Sequence, residues 1–480
     1  MRKQVFNPFL PSYEYVPDGE PYVFGDRVYI YGSHDKFNGD MFCENDYVCW
    51  SAPLEKLYDW HYEGIIYRKN QDPINTDGIR CLYAPDIQKG PDGRYYLYYA
   101  LDMVGTMSVA VCDTPAGSFQ YYGSVRYPDG KIVGQSNEDI FHFDPGVFMD
   151  DDGKIYLYTG FGPQDSKECD KMFNDRKYEG AYCIELEPDM ITVKSESKLI
   201  IPKVGHANGT SFVGHEFFEA SSMRKIDNIY YFIYSSINSH ELCYATSYRP
   251  NGGFVYGGTI VSNGDIYFNG RTGAERLNYT GNNHGSIVEI NGQLYVFYHR
   301  QTNRHGFSRQ ACAEKIIIDE DGYIKQVEMT SCGLNNGPLV GKGQYEAYIA
   351  CNLYSKQGAC HYKNSNGSYE NHPFFTQSGA DREDNGDQYI ANMQDGAVAG
   401  FKYFDLQDTT KISVNVRGNA RGEITVLSSI KGNVLAHIPI EASDNYQYFN
   451  SEVRVQDTVS ALFFKFNGTG YLDFKSFILD

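Results

Sequence analysis

Residues 148–160 read FMDDDGKIYLYTG: a short apolar strand, a tight Asp/Gly turn, and a strand alternating aromatic and aliphatic side chains. Asp and Gly supply the turn conformations, and the aromatic and β-branched residues suit a half-buried pleated surface, so the stretch is a β-hairpin. The same order of strand, turn and aromatic strand returns in VFGDRVYIYGS at 23–33, KGPDGRYYLYYA at 89–100, KIDNIYYFIYSS at 225–236 and EINGQLYVFYHR at 289–300. Taking Tyr29, Tyr96, Tyr156, Tyr231 and Tyr295 as equivalent, the spacings are 67, 60, 75 and 64 residues. Helical periodicity is scarce. Five similar hairpins at these intervals predict an all-β chain built on a five-bladed β-propeller, with loops stretching each blade beyond the usual repeat of about 40 to 50 residues. A single sandwich or a β-helix predicts no such recurrence.

The chain of 480 residues carries 42 Lys and Arg against 61 Asp and Glu, a formal net charge of −19. That balance repels phosphate backbones and anionic lipid, so neither nucleic acid nor a membrane surface is an expected partner. No stretch reaches the roughly 18 to 20 uninterrupted apolar residues of a membrane span. The opening MRKQVFNPFLPSYEYVPDGEP lacks the run of roughly 7 to 15 apolar residues of a secretory signal. Eleven cysteines are scattered without a CxxC pair and read as reduced thiols. A cytoplasmic protein is the expectation. Tyr (42) and Phe (29) far outnumber Trp (2), a composition that suits both strands and sugar-facing surfaces.

Asp18 stands eleven residues before Tyr29, Asp86 ten before Tyr96, Asp144 twelve before Tyr156, Glu219 twelve before Tyr231, and His284 eleven before Tyr295. If the strand entering each hairpin is the innermost of its blade, each blade delivers one ionisable side chain to the same height near the axis. Asp and Glu also flank strands as ordinary turn formers, but five occurrences at nearly one offset argue for convergence. Crowded carboxylates repel, so their pKa values split: one stays ionised while another keeps its proton near neutral pH. General acid–base catalysis uses that asymmetry. The sequence has no Gly-rich phosphate loop, GxSxG elbow or HExxH pair to support nucleotide, serine-hydrolase or zinc-protease chemistry. Paired carboxylates leave glycoside hydrolysis. The run Asp150-Asp151-Asp152-Gly153 has no Glu at loop position 12 and no flanking helices, so it reads as a hairpin turn rather than a calcium loop.

IFHFDPGVFMDDDGKIYLYTG around Asp144, GHEFFEASSMRKIDNIYYFIYSS around Glu219, NNHGSIVEINGQLYVFYH around His284 and YVPDGEPYVF around Asp18 together resemble glycoside hydrolase family 43, over about residues 5 to 330. The resemblance implies a five-bladed propeller and an inverting enzyme, in a family made up mostly of β-xylosidases, α-L-arabinofuranosidases and arabinanases. It implies Asp18 as general base, with Glu20 as the competing alignment, Asp144 as the residue that tunes and orients the acid, and Glu219 as general acid. Asp86, in YAPDI, resembles a family position that lines or supports the pocket, so Asp86 and Glu20 are expected near substrate. His284 resembles a histidine that faces an axial calcium through water. Such a metal would be structural, and no cofactor is expected for the chemistry.

The stretch TSCGLNNGPLVGKGQYE breaks the repeat with Gly, Asn and Pro and reads as a linker, dividing a catalytic propeller over 1–335 from a second domain over 341–480. KISVNVRG, EITVLSSI, ALFFKFNG and YLDFKSFIL alternate as strands of a β-sandwich. DQYIANMQDGAVAGFKYFDL and ALFFKFNGTGYLDFKSFIL are similar to family 6 carbohydrate-binding modules. A sugar platform there must be Tyr or Phe, such as Tyr446, Tyr448 or Phe449, because both tryptophans, Trp50 and Trp60, lie in the propeller. The alternative is a sandwich that packs on the propeller for stability or shapes its pocket.

The expected function is exo-acting release of α-L-arabinofuranose, and also β-xylose, from hemicellulose-derived oligosaccharides. A β-xylosidase or an arabinanase is the alternative within the enzymes, and a non-catalytic sugar-binding propeller the alternative outside them. The sucrose- and fructan-cleaving propellers expect NDPNG, RDP and EC motifs where this chain has NPFLP, FDP and FEA.

Overall fold

The computed structural model describes residues 3–362, 368–381, 386–455 and 458–480. Five antiparallel sheets succeed one another from Glu20 to Ile316, each with its strands in chain order; the first four have four strands and the fifth three. Their innermost strands are Glu20–Phe24, Asp86–Lys89, Gly146–Met149, Phe217–Ile226 and Ser286–Ile290. These strands meet around the axis. Val147 N–H donates to Asp86 Oδ2 at 2.6 Å, Ser222 and Ser286 share a hydroxyl contact at 2.8 Å, and Arg224 Nε donates to the Ile287 carbonyl at 3.0 Å. Gly19 bridges Gly285, joining first blade to fifth.

The anchor tyrosines occupy one register: Tyr22 faces Tyr29, Gln88 faces Tyr96, Phe148 faces Tyr156, Arg224 faces Tyr231 and Val288 faces Tyr295. All five anchors are buried, so the aromatic abundance is chiefly core. The Asp150 turn closes with Asp150 N–H to the Lys154 carbonyl and Gly153 N–H to the Asp150 carbonyl, both at 2.9 Å. The Asp150 carboxylate takes Lys225 Nζ at 2.8 Å and Tyr230 Oη at 2.6 Å, protein partners where a calcium loop would offer its oxygens to an ion.

The three-stranded fifth blade is completed by the N-terminal segment. Asn7 Nδ2 donates to the Ala313 carbonyl at 2.8 Å, Ala313 N–H returns a bond to Asn7 Oδ1 at 2.9 Å, and Phe9 N–H donates to the Ala311 carbonyl. The chain then runs on to the first blade, so its beginning covers an otherwise open edge.

From Leu339 the chain forms two six-stranded sheets packed as a sandwich, with Phe401, Phe464, Phe474 and Phe477 in its core. The strand Leu339–Val340 already pairs with Val398–Asp405, so the sandwich starts just ahead of residue 341. It is bonded to the propeller rather than tethered to it. Buried Lys402 reaches Asp265 at 3.0 Å and Glu328 at 2.8 Å, and Arg300 Nη1 donates to the Ala350 carbonyl at 3.0 Å. A buried charge stripped of its partner costs about 3–5 kcal/mol, so these pairs tie the two domains together.

Candidate active site

Four residues before the position that faces each anchor tyrosine stand Asp18, Ala84, Asp144, Ala220 and His284. In the fourth blade the register shifts between Glu219 and Ser222, and this bulge delivers Glu219 in place of Ala220. The backbone is left-handed at Asp18 (φ 58°), Asp144 (φ 42°) and Ala220 (φ 73°). Asp tolerates that region through local hydrogen bonding, but Ala does not gain by it, and such strain persists where surrounding structure over-determines a functional geometry. Asp18, Asp144, Glu219 and His284 all open onto a cavity of about 560 Å³.

Asp18 is pinned. Arg309 Nη1 donates to its Oδ1 at 2.9 Å, while the rest of the same guanidinium forks onto Asp35 through Nε and Nη2, each at 2.9 Å. Asp18 N–H donates to His299 Nδ1 at 3.3 Å, and His299 Nε2 donates to the Asn282 carbonyl at 2.8 Å. Burial alone would push the Asp18 carboxyl up, but Arg309, His299 and His284 outweigh it and hold the group well below the usual carboxylate range. Burial pushes His299 down, against the pull of Asp18, whose Oδ1 lies 3.3 Å from Nδ1.

Glu219 has the opposite balance. Burial, then the charges of Asp144 and Asp18, push its carboxyl up to about 8 against the pull of His284 and Arg309. Asp144 is raised by burial and held back by His284, whose Nδ1 lies 3.5 Å from Asp144 Oδ2. Ala220 N–H donates to that same Oδ2 at 3.3 Å, so Asp144 grips the bulge that carries Glu219. Burial pulls His284 down, but Asp144 and Asp18 lift it to about 9 and keep the imidazolium.

Asp86 and Glu20 do not reach the cavity, which corrects their expected place beside substrate. Both stand two residues further along their strands, at 0% and 1% exposure. Tyr22 Oη donates to Asp86 Oδ1 at 2.7 Å, and burial and Glu20 push the Asp86 carboxyl up to about 8. Arg224 Nη2 donates to Glu20 Oε2 at 2.7 Å and Ser222 Oγ to the same oxygen at 3.0 Å. Asp86 lies one position nearer its tyrosine than Asp18 does, and its structural counterpart is Glu20; the residue matching Asp18 in the second blade is Ala84.

An axial calcium ligated directly finds its oxygens engaged, since Arg224 already neutralises Glu20. A water-bridged ion would be held on the Glu20 side, where Oε1 is buried without a hydrogen-bond partner, because His284 as an imidazolium presents positive charge to it. Such an ion would supply fixed positive charge beneath the site. Among the described residues, one further group has metal-type donors, His215, Glu241 and Cys243. It is closed by its own bonds, with Glu241 accepting from Ser236, Asn238 and Thr259 and lying 2.7 Å from His215.

Sequence reasoning missed Arg309, Asp35 and His299, which no repeat marks, and the aromatic lining, including Phe141, Phe143, Phe161 and Phe173. It also missed His361 and Tyr362, which enter the cavity from the sandwich. On the sandwich itself, Phe449 packs onto the core, whereas Tyr448 is exposed and Tyr446 lies under the Arg417 guanidinium at 4.6 Å.

A propeller that holds two carboxyl groups in opposite protonation states on a sugar-sized cavity is a carboxylate glycosidase. The chain belongs to the glycosyl hydrolases family 43, whose profile matches residues 7–324, and its chemistry needs no cofactor. It is similar to a xylosidase/arabinosidase of Thermoclostridium stercorarium, 53% identical over 100% of this chain and 99% of that protein. It is also 30% identical to xylosidase/arabinosidase 43A of Humicola insolens over 65% of this chain and 96% of the relative. Among solved structures, CoXyl43, a β-xylosidase/α-arabinofuranosidase from a compost metagenome in complex with xylotriose in a calcium-free form, superposes with a TM-score of 0.51 at 27% identity. That match covers 68% of this chain and 98% of the other. An arabinoxylan arabinofuranohydrolase of Bacillus subtilis shares the fold over 98% of this chain and 97% of its own (TM-score 0.50, 22% identity).

Proposed function

We propose that the enzyme removes terminal α-L-arabinofuranose and β-xylose from hemicellulose-derived oligosaccharides by single displacement with inversion. Glu219, protonated, gives its proton to the departing glycosidic oxygen. Asp18, ionised, takes a proton from the water that attacks the anomeric carbon from the opposite face. Asp144 keeps Glu219 protonated by its own negative charge and orients it through the Ala220 N–H. Arg309 keeps Asp18 ionised, and its fork onto Asp35 fixes the direction in which Asp18 points. The observation that carries this reading is the split between Glu219, pushed up to about 8, and Asp18, held far down, on one cavity.

The relatives named as xylosidase/arabinosidases support the two pentoses as substrates. None of the eleven cysteines is disulfide-bonded, which supports action in a reducing compartment on imported oligosaccharides. The test is a panel of aryl arabinofuranoside, aryl xyloside and arabinan, with NMR of the first-formed sugar. The expected result is cleavage of both aryl pentosides with the inverted anomer appearing first. Retained configuration would refute Asp18 as a base, and action on arabinan alone would refute the substrate assignment.

A further inference from the structure

Among the described residues, the sandwich lines the catalytic cavity through His361 and Tyr362. Thr280 N–H donates to the Cys360 carbonyl at 3.1 Å and Tyr362 N–H to the Thr280 carbonyl at 2.9 Å, a backbone clamp onto the approach to the fifth blade. His361 Nε2 lies 3.1 Å from Ser239 Oγ, on the turn that follows the strand Ile229–Ser236 in the fourth blade. The Tyr362 ring stacks on His361, with centroids 4.7 Å apart and planes at 28°. Two glycines shape its seat: a Cβ on Gly281 would come within 2.9 Å of Tyr362 Cδ1, and one on Gly306 within 3.2 Å of Cε2. Both side chains are half-buried and line the cavity, and Tyr362 also borders a second small pocket beside Tyr279 and Gln301.

The fourth blade is also the blade of Glu219, which pairs with Ser235 in the same sheet. A general acid must lie beside the oxygen that departs, so the leaving sugar occupies the side of the cavity where Ser239, His361 and Tyr362 stand. We propose that His361 and Tyr362 form the wall on which the leaving-group sugar rests, so that the C-terminal domain selects which oligosaccharides the propeller cleaves. Both rings line the cavity at its Ser239 end and offer aromatic surface to the C–H face of a pentose. The wall is part of the catalytic pocket, and the role does not depend on a separate sugar site on the sandwich.

This inference rests on the pentosidase reading above, and the experiment separates the two. In the full-length protein, kcat/KM is measured on xylotriose and arabinofuranosyl-xylotriose, whose leaving groups are sugars, and on 4-nitrophenyl xyloside and arabinofuranoside, whose leaving group is not. Tyr362→Ala is expected to lower the ratio of oligosaccharide to aryl-glycoside kcat/KM by about 10-fold or more, chiefly through KM, and His361→Ala by about 5-fold. Gly306→Val, which crowds the Tyr362 ring without deleting it and also meets Phe42, should move the ratio the same way. Lys356→Ala, at an exposed ion pair with Asp395 on the sandwich, should leave it in place. Ratios within about 2-fold of wild type in both pocket variants would overturn the wall, and so would a parallel loss on all substrates with a lowered Tm. A wild-type enzyme that cleaves none of the four substrates would overturn the pentosidase reading itself.

Discussion

The ring formed by Asp18, Asp144, Glu219 and His284 opens on the cavity, whereas the ring two residues further along most of the same strands, Glu20, Asp86, Ser222 and Ser286, is sealed beneath it. Both rings hold two or more oxygen acids or hydroxyls in a low-dielectric interior. They differ in how their charge is met. In the lower ring Arg224 sits on Glu20, and Tyr22 and the backbone of Val147 satisfy Asp86. In the upper ring Arg309 bonds to Asp18 while forking onto Asp35, and burial with the negative charges of Asp144 and Asp18 keeps a proton on Glu219. Depth along a strand, rather than residue type, separates structural acids from chemical ones.

The sharpest way to break this contrast is to remove the proposed proton donor. Glu219→Gln should cost about 10²- to 10⁴-fold in kcat on xylo-oligosaccharides and far less on aryl glycosides with activated leaving groups. Equal losses on both would place Glu219 outside the acid role. In the lower ring, Glu20→Gln leaves Arg224 without its countercharge in a buried site, and should destabilise the protein by about 3–5 kcal/mol, read from denaturant unfolding. Its activity per folded molecule should fall much less than that of Glu219→Gln; the reverse order would make Glu20 the working carboxylate.

The pH dependence of activity comes from the ring on the cavity. In the proposed acid role Glu219 acts protonated, so activity should decline as pH rises through about 8, tenfold per unit beyond it. Asp18 must be ionised and is held far down, so loss on the acid side should set in only well below the usual carboxylate range. A pH profile of kcat/KM in wild type checks both limbs, and Arg309→Lys, which loses the fork onto Asp35, should shift the acid limb upward. The smallest effect is expected from Ser222→Ala, which removes one hydroxyl from Glu20 Oε2 and Ser286; a stability loss of about 1 kcal/mol with unchanged pH limbs would confirm its place in the sealed ring.

Much of this was legible in the chain because the propeller repeats itself. Alternation and turn chemistry are local, so the five hairpins and their buried tyrosines could be read directly, and the offsets brought Asp18, Asp144, Glu219 and His284 together. The offset also misled. Asp86 differs from Asp18 by a single position relative to its tyrosine, yet pairing across the hairpin assigns it to Glu20's ring and leaves Ala84 at the cavity. Glu219 reaches the upper ring only through a bulge, which spacing does not reveal. Arg309 carries no signal at all, since it lies just before the strand Gln310–Ile316 at the far end of the blade sequence and meets Asp18 across 291 residues.

The sequence by itself determined the all-β class, the fivefold repeat, the division into propeller and sandwich, and the carboxylates that meet at the axis, because each of these follows from local periodicity and from residue types at a recurrent spacing. The tertiary structure decided which acids face the cavity, which protonation state each keeps, how the N-terminal segment completes the fifth blade, and that His361 and Tyr362 belong to the active site. Those properties depend on burial and on partners far apart in the chain, and a carboxyl group acquires its chemistry from the charges and the solvent that folding puts around it.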